Sequence, residues 1–579
     1  MNKFGALEIN PAVNPAILDT ATWDAAAAWR AVEAVDDSGW QAVEQAIGAG
    51  NHLPVTGSLT PHTGSAAHCQ GSAFLLAGLP DAQQVFVEIS PGECQAVLGA
   101  PIGTKALASG GHVAVYKTDA AALDRFFRLV NPGKGPKAMG PAPRLGIGTR
   151  MTTLLRPGIW QAMAQGRFAA NAIQNSVREL NLLDNLLGGR PPEVNYAFNF
   201  GAIETGYTGS TFEGLWVSGV LDALKSSHRP AYGADADHLQ VKRGADGLAR
   251  AKRLVDASRY YTFFTLDVSD VLNYTALSAQ PASTAEGYLN DKIRDAVERR
   301  AVLDYHRQER RIGGATYRLD AAIIGQLVGK YWDALDAVQE LTGHVQRLKD
   351  GQAFDLELSI DEHPAEVPTF DCLTTDAEVL FVIREMQRRG IPVTHVAPNF
   401  GVEKGVDYSC PDGLDGLEKR ARSQSRICEE LGVMVDFHSG DDLSAATRRV
   451  IRRATEGRSH FKISPSLQLL FAKVLQDHHP DLFRRWWADA EAYTQREAQA
   501  GSAFAAQCLH EYETSTNPVP DVHHSIFHHY SFAFVGRRDA RGQFLHREEF
   551  YSLSGAFAVD YQNRAAQFLC GLAEELFDA

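Results

Sequence analysis

Short apolar segments alternate with longer segments of helical spacing between about residues 143 and 475. The short segments have the length and composition of buried strands, and the intervening segments have the period of helices. Eight strands are predicted, at residues 145–149, 168–173, 230–235, 261–267, 356–361, 393–399, 433–438 and 461–464. Repeated strand–helix units pair in parallel through right-handed crossovers. The predicted fold class is therefore α/β, and eight units favour a (β/α)8 barrel of the TIM type over an open doubly wound sheet.

Three other parts of the chain surround this pattern. The interval between the fourth and fifth predicted strands is too long for one crossover, and it carries apolar residues at helical spacing. The predicted organisation is an N-terminal α/β region at 1–137, the barrel at 138–490 with a helical insertion at about 273–350, and a helical C-terminal tail at 491–579 packed on the barrel. Within the barrel, Thr375 and Glu378 form a capping-box pattern that opens a helix ending at Gly390.

Several predicted strands end in carboxylates or imidazoles. These endings are residues 232–238, 265–267, 359–362 and 436–440. Because the active site of a parallel barrel lies at the carboxyl ends of its strands, the endings predict one site assembled from several strand tips. Side chains alternate between the two faces of a strand. The side chains predicted to face the barrel axis are Ser359, Asp361, His395, Asn399, Asp436, His438 and Lys462.

This set of candidate residues favours a metal site. Carboxylates and imidazoles without cysteine suit a borderline or hard divalent cation such as zinc, manganese or cobalt. The predicted metal ligands are His238, Glu362 and His438, with Asp235 as an alternate, and they leave a coordination position for a substrate oxygen. Carboxylates near the cation but not bound to it are candidates for proton transfer. The candidates for that catalytic role are Glu179, Asp267 and Asp361.

Charge and composition limit the classes of binding partner and the cellular compartment that can be expected. The formal net charge is −14, which argues against nucleic acid or an anionic membrane as a main partner. No apolar run approaches the roughly 18 residues that a membrane span needs, and the first residues lack the apolar core of a signal peptide. The seven cysteines are scattered without a CxxC pair. A cytoplasmic protein with reduced thiols is therefore expected. The sequence leaves open whether it forms a homo-oligomer.

Six segments carry a resemblance to a known family. They are residues 174–179, 232–239 with the string GADADHL, 263–270, 359–362, 403–408 and 438–440. In order and spacing they resemble the tagaturonate epimerase family, which also contains tagatose 4-epimerases, from about Arg144 to about Leu475. The resemblance implies a metal-dependent carbohydrate epimerase, of the isomerase class, that acts on a keto-hexuronate such as tagaturonate or fructuronate, or on a ketohexose.

The resemblance also implies a set of substrate-binding residues. A substrate carboxylate requires a cationic partner, and the candidates are Arg178, Lys404 and Lys462. Asn399 on the sixth strand belongs to the same predicted set. The C-terminal region matches the family only around His529 and Tyr530, so His529 completes the set, and the histidine-rich run that contains it is predicted to fold over the barrel mouth.

An epimerase of this family inverts the hydroxyl-bearing carbon β to the ketone. Removal of the proton α to the ketone would invert the wrong centre. Retro-aldol cleavage, rotation of the aldehyde fragment and re-addition to its other face give the required inversion, with a carboxylate pair moving the hydroxyl proton. The alternative is transient oxidation at that carbon, for which the sequence contains no dinucleotide-binding fingerprint.

The sequence leaves other functions open. A metal-dependent aldolase or isomerase would use the same barrel and the same residues. A non-catalytic sugar-binding paralogue is favoured by departures from the family at the first strand, where Pro143 replaces an Asp and residues 149–153 contain no histidine. An amidohydrolase-like enzyme is disfavoured because residues 145–149 carry no His-x-His.

Overall fold

Eight parallel strands close into a barrel at the centre of the computed structural model. The strands are Arg144–Gly148, Ala169–Ser176, Tyr232–Gln240, Phe263–Asp267, Asp355–Ile360, His395–Pro398, Met434–Phe437 and His460–Ile463. Each strand pairs with its neighbour in sequence, and the last strand pairs with the first. The predicted TIM-type barrel is therefore confirmed, in place of the open sheet.

The structure describes residues 2–4, 7–9, 24–80, 82–150, 152–177, 180–181, 194–197, 201–204, 206–228, 230–278, 282–362, 368–403, 405–516, 518–541 and 543–577. Within these ranges, no helix has both the length and the apolar character that crossing a membrane requires.

Within the described residues, every barrel strand is followed by a helix that packs around the barrel. These helices are Arg156–Gly166, Phe212–Lys225, Gly247–Ala257, Ala321–Lys349, Asp376–Arg388, Gly413–Glu430, Ala445–Thr455 and Pro465–His478. The longest of them, Ala321–Lys349, buries Leu327, Val328, Leu335 and Val338 at helical spacing. Such an apolar stripe directs one face of a helix to the core.

The predicted capping box at the start of helix Asp376–Arg388 is confirmed. The Thr375 hydroxyl accepts a hydrogen bond from the Glu378 backbone N–H at 3.3 Å, and the Glu378 carboxylate accepts one from the Thr375 backbone N–H at 2.8 Å. The pair satisfies two backbone donors that a helix N-terminus otherwise leaves without partners. Beyond the other end of the helix, Gly390 has a φ of +72°, the left-handed conformation common after a helix.

Thr375→Ala is expected to lower the free energy of unfolding by about 1 kcal/mol, because the helix loses its capping oxygen. Urea unfolding followed by circular dichroism measures the change. Thr375→Ser keeps the hydroxyl and is the matched control, so we expect it to unfold within about 0.5 kcal/mol of the unsubstituted protein. Equal losses in the two variants would contradict the capping role.

An antiparallel sheet precedes the barrel. Its five strands are Thr60–Cys69, Ser72–Gly78, Gln84–Ser90, Gly103–Ala106 and His112–Lys117. Helices Ala25–Glu33 and Asp37–Ala49 cover one face, where Val85 and Val87 belong to the same buried cluster as Trp40. The opposite face carries Phe74 and Phe86, which belong to the core of the barrel. The N-terminal region therefore packs directly on the barrel, through Ala120–Arg125 and the π-helical turn Phe126–Val130.

The insertion and the C-terminal tail are mainly helical. The stretch between the fourth and fifth strands contains Ser269–Val271, Tyr274–Leu277, Ala282–Lys292, Ala296–His306 and the strand pair Arg310–Ile312 and Ala315–Tyr317 before helix Ala321–Lys349. The C-terminal part begins with helix Pro480–Gln499, which crosses the predicted boundary at residue 490, and continues with Ala503–Glu513, Ser525–Tyr530, Arg547–Tyr551 and Gly555–Leu576. The last of these helices packs on helices Arg156–Gly166 and Pro465–His478. The domain boundaries stay predictions.

Short elements complete the described chain. They are the strands Asn2–Phe4, Leu7–Ile9, Leu180–Asn181, Val194–Ala197, Gly201–Glu204 and Ser210–Thr211, and the single-turn helices Thr153–Leu155, Thr369–Cys372 and Gly440–Asp442.

A buried ion pair closes the amino end of the barrel. Arg144 Nη1 lies 2.9 Å from Asp355 Oδ2, and both side chains are almost fully buried. The same carboxylate accepts hydrogen bonds from the backbone N–H groups of Met139 and Gly140, each at 2.9 Å. These contacts fill the amino end of the barrel below the polar side chains of the strands.

Candidate metal centre and active site

The backbone at His238 is shaped so that its imidazole points into the mouth of the barrel. The pairing of the third strand with the fourth shifts register between Ala236 and Leu239. His238 lies in this bulge with a φ of +49°, a left-handed conformation that is uncommon outside glycine. Bulges bend a strand and re-aim side chains, and they are frequent beside active sites. The strained backbone is therefore a local reason to regard His238 as a functional residue.

His238 is one of three side chains that converge at the mouth. Its Nδ1 lies 3.2 Å from Asp267 Oδ2 at the end of the fourth strand. Ligand atoms of His238, Asp267 and Glu362 all lie within 4.8 Å of one another. Asp267 is oriented by Gln240, whose amide donates to Oδ2 at 3.1 Å, and by the Ser269 backbone N–H, which donates to Oδ1 at 3.1 Å. The chain thus brings together one imidazole and two carboxylates from three different strand ends.

His438 lies beside this group, between two carboxylates. Its Nε2 is 2.9 Å from Glu357 Oε1, and its Nδ1 is 2.8 Å from Asp361 Oδ2. The ring centroids of His238 and His438 are 4.8 Å apart, and the rings meet edge to face. Burial alone would lower the pKa of His438, but the Asp361 and Glu357 carboxylates outweigh it and hold that pKa well above its usual value. Although burial opposes it, the pKa of Asp361 is lowered by the charge of His438.

Three acids below the histidines surround Lys462. Its ammonium lies 2.7 Å from Asp237 Oδ1, 3.0 Å from Glu357 Oε2 and 3.4 Å from Asp235 Oδ2, and it is only 5% exposed. Burial lowers the pKa of Lys462, but Asp235 and the other carboxylates raise it well above its usual value. Burial raises the pKa of Asp235 well above its usual value; the charge of Lys462 opposes this shift, and the neighbouring carboxylates add to it. In contrast, Lys462 overcomes the burial of Asp237 and lowers its pKa.

A second group of possible ligands lies deeper in the barrel. Ligand atoms of Glu357, Asp436 and His460 also fall within 4.8 Å of one another, and His460 Nδ1 is 2.6 Å from Asp436 Oδ2. The Lys462 ammonium lies 4.0 Å from Asp436 and 3.0 Å from Glu357. Since the Lys462 ammonium already provides a positive charge beside these carboxylates, the shallower group of His238, Asp267 and Glu362 is the better candidate for a cation site.

The sequence-predicted residues fall into three classes. His238, Asp267, Glu362, His438, Asp361 and Lys462 come together at the mouth or just below it. Asn399 is at the end of the sixth strand, where its side-chain amide donates to the Cys372 carbonyl and its side-chain oxygen accepts from the Gly401 N–H. Arg178, Glu179 and Lys404 lie outside the described residues. The assigned roles of all these residues stay predictions.

The C-terminal histidines contact residues that follow the sixth and seventh barrel strands. His528 Nε2 is 3.2 Å from Asp442 Oδ1, and Asp442 Oδ2 accepts a hydrogen bond from the Gly405 N–H at 2.8 Å. Gly405 has a φ of +82°, and a Cβ there would come 2.3 Å from His529 Nε2. Burial lowers the pKa of His529 to about 4, and the neighbouring His528 adds to that effect. His524, four residues before His528, caps helix Ser525–Tyr530 by accepting a hydrogen bond from the Ile526 backbone N–H.

Two acids were missed as site residues by reasoning from the sequence. Glu357 is fully buried in the barrel and contacts both His438 and Lys462. The alternation that places Ser359 and Asp361 inward also places Glu357 inward, so the signal was present in the strand pattern. Asp237 could equally cap the following helix by sequence, but the cap of that helix is Asp246. Its contacts with Lys462, at 2.7 Å, and with His238, at 4.0 Å, identify Asp237 as part of the site.

Comparisons with known proteins identify the family that this chain resembles. A family model described as tagaturonate epimerase matches residues 201–563. A tagaturonate/fructuronate epimerase from Thermotoga maritima is 29% identical over 284 residues, which are 48% of this chain and 53% of that protein. The chain therefore spans about half the length of this curated relative in the match.

Solved structures share the fold over a longer range. The native crystal structure of fructuronate-tagaturonate epimerase from Cohnella laeviribosi has a TM-score of 0.62 at 19% identity, over 93% of this chain and 99% of that one. The structure of the same protein with two glycerols has a TM-score of 0.64 at 19% identity, over the same shares of the two chains. At this level of identity, the likeness shows the fold.

Proposed function

The chain belongs to the tagaturonate epimerase family, and on that premise we propose that it is a divalent-metal-dependent epimerase of a sugar acid. The substrate class is a keto-hexuronate, with tagaturonate and fructuronate as the first candidates, and the reaction inverts the hydroxyl-bearing carbon β to the ketone. The observation that carries the proposal is the convergence of His238, Asp267 and Glu362 at the mouth of the barrel, with His438 beside them.

The chemistry of this donor set fits a divalent cation. One imidazole nitrogen and two carboxylate oxygens are ligands for zinc, manganese or cobalt. His238, Asp267 and Glu362 would hold the cation, and His438 would join them only by exchanging one of its two carboxylate contacts. When bound, the cation supplies Lewis acidity that polarises the substrate's ketone. This assignment replaces His438 by Asp267 in the predicted ligand set and leaves His438 available for charge stabilisation.

The chain's own residues would move the hydroxyl proton. Asp361 is 20% exposed at the mouth, whereas Glu357 on the other side of His438 is fully buried. Asp361 is therefore the carboxylate that a substrate hydroxyl can reach. In the proposed retro-aldol step, Asp361 accepts the hydroxyl proton as the adjacent carbon–carbon bond breaks, and the bonding electrons move toward the ketone. After the aldehyde fragment rotates, the bond forms on its other face and Asp361 returns the proton.

Lys462 would support this step without touching the substrate. It is buried among carboxylates, so it is a poor partner for the carboxylate of a sugar acid. Through Asp237 it is linked to His238, and through Glu357 it is linked to His438. We therefore propose a positioning role for Lys462 and leave Arg178 and Lys404 as the candidates for binding the substrate carboxylate.

A cytoplasmic location is proposed because all seven cysteines are free.

The test combines metal removal with detection of inversion. Protein stripped with a chelator is expected to lose turnover of tagaturonate and fructuronate, and manganese, zinc or cobalt is expected to restore it, because the cation polarises the ketone. Carbon and proton NMR then identifies which carbon is inverted. Full turnover in protein shown to be metal-free would refute the metal dependence, and release of a trappable three-carbon aldehyde as the main product would favour an aldolase.

Deuterium at the inverted carbon separates the two mechanisms of inversion. Retro-aldol chemistry leaves that carbon–hydrogen bond intact, so we expect complete retention of deuterium and no primary isotope effect on turnover. Transient oxidation breaks the same bond, and a primary isotope effect would therefore contradict the retro-aldol step while leaving the epimerase assignment in place.

A further inference from the structure

Tyr274 connects the insertion to Glu362 at the mouth of the barrel. Its hydroxyl donates a hydrogen bond to the Glu362 backbone carbonyl at 2.7 Å. Glu362 lies beyond Ile360, the last residue of the fifth strand, so the barrel's own strand pairing does not fix its backbone. We propose that Tyr274 is a positioning residue that holds Glu362 toward His238 and Asp267 and thereby sets the affinity for the divalent cation. This inference rests on the proposed metal-dependent function.

Tyr274 is itself held by a buried charge. The Lys330 ammonium lies 4.7 Å from the centre of the Tyr274 ring, a cation–π contact that is strongest where the cation is desolvated. Lys330 is only 5% exposed, and its ammonium is 2.5 Å from Glu378 Oε1. The Tyr331 hydroxyl donates to the same oxygen at 2.7 Å. The ring of Tyr274 is therefore packed against a cation whose own position is fixed by two barrel helices.

The backbone around Tyr274 is equally constrained. The Asn273 N–H donates a hydrogen bond to the Lys330 carbonyl at 3.2 Å, which ties the single-turn helix Tyr274–Leu277 to helix Ala321–Lys349. A Cβ at Gly329 would lie 2.6 Å from the Tyr288 ring and 3.0 Å from the Ala276 methyl group. Glycine at this position thus lets the insertion approach the barrel helix closely. Both the ring and the adjacent backbone of Tyr274 are therefore held against helix Ala321–Lys349 while its hydroxyl contacts Glu362.

The consequence is a chain of contacts from the outer helices to a proposed metal ligand. It runs from Glu378 through Lys330 and Tyr274 to Glu362. Groups that orient a ligand without touching the metal typically change metal affinity by about 10- to 100-fold when they are removed. Tyr274 is therefore expected to influence binding of the cation more than it influences folding.

The test compares two phenol-to-phenyl substitutions in the same insertion. Tyr274→Phe removes the hydrogen bond to Glu362. Tyr317→Phe is the matched control, because the Tyr317 hydroxyl donates to Asp376 at 3.1 Å, at the start of a barrel helix, rather than to a residue of the proposed metal group. Mn²⁺ is titrated into the chelator-stripped full-length proteins, and free Mn²⁺ is measured by electron paramagnetic resonance. Thermal unfolding of each apo-protein reports on folding.

Tyr274→Phe is expected to weaken Mn²⁺ binding about tenfold, whereas Tyr317→Phe is expected to bind within about twofold of the unsubstituted protein. The turnover of Tyr274→Phe should recover at saturating Mn²⁺, which a general loss of folding would not allow. Unchanged Mn²⁺ affinity in Tyr274→Phe, or equal weakening in both variants, would overturn the positioning role while the proposed function stands. If the unsubstituted protein binds no Mn²⁺, zinc or cobalt, the metal-dependent function itself fails, and this inference fails with it.

Discussion

Glu362→Gln is expected to lower the turnover of the manganese-supplied protein by about a thousandfold, which corresponds to about 4 kcal/mol of activation free energy. The substitution keeps the shape of the side chain but removes one of the two negative charges in the group of His238, Asp267 and Glu362. An uncharged amide oxygen attracts a divalent cation less strongly than a carboxylate does. Steady-state kinetics measure the turnover, and calorimetric titration with Mn²⁺ measures the affinity.

Glu340→Gln is the matched control for this prediction. Glu340 is 51% exposed on the outside of the barrel, where it pairs with Lys252, so its loss is expected to change neither turnover nor Mn²⁺ affinity. A Glu362→Gln variant that binds Mn²⁺ normally but turns over slowly would place Glu362 in proton transfer rather than metal binding. Normal binding together with normal turnover would remove Glu362 from the site.

Lys462→Met is expected to lower the free energy of unfolding by about 3–5 kcal/mol, because it leaves buried carboxylates without their cation. Asp235 and Glu357 are fully buried, and with Asp237 they all lie within 3.4 Å of the Lys462 ammonium. Turnover is expected to fall below detection, since Asp237 and Glu357 would no longer hold the two histidines in place. Urea unfolding and steady-state kinetics measure the two effects.

The pH dependence of this loss follows from the pKa shifts. The pKa of Asp237 is lowered in the folded protein by Lys462, against the effect of burial, so its stabilising contribution is present above the ordinary value and is lost as the pH falls. The pKa of Lys462 is raised by Asp235 and the other carboxylates, again against burial, so its contribution is present below the ordinary value and is lost as the pH rises. The stability difference should therefore be largest between about pH 4 and pH 10, the ordinary pKa values of aspartate and lysine.

Lys473→Met provides the same substitution at the surface. Lys473 is 46% exposed and lies 3.3 Å from Asp477 on the same helix, and such pairs contribute about 0.3–0.5 kcal/mol. A loss in Lys462→Met no larger than that in Lys473→Met would contradict the role assigned to the buried ammonium. Normal turnover in a destabilised Lys462→Met protein would show that the cluster serves folding alone.

The architecture could be predicted from the sequence because its determinants are local. Most barrel strands contain a short apolar run, although the third, Tyr232–Gln240, also carries polar residues. The pattern that places Asp436 and His438 on one face depends only on strand alternation. The start of helix Asp376–Arg388 depends on Thr375 and Glu378, which are three residues apart. These patterns can be recognised from nearby residues alone. The number of barrel strands, their order and the capped helix were therefore all predicted correctly.

The composition of the site depends on contacts between distant parts of the chain. Lys462 and Asp237 are 225 residues apart in sequence and meet only because the barrel closes. Asp267 enters the group with His238 because a bulge turns that histidine toward the fourth strand. No local pattern specifies which of several inward carboxylates lies closest to a given imidazole, since a shift of register by one residue would exchange them.

Local signals along the chain are enough to predict the (β/α)8 barrel, the end at which its polar residues gather and the related family, because periodicity, caps and motifs are read from residues close in sequence. Contacts that form only in the folded chain place His438 between Glu357 and Asp361, surround Lys462 with acids and bring Tyr274 of the insertion to Glu362. The positions of His438 and Lys462 depend on barrel closure, and that of Tyr274 depends on the path of the chain after the fourth strand. Both set the distances between side chains that are far apart in the sequence.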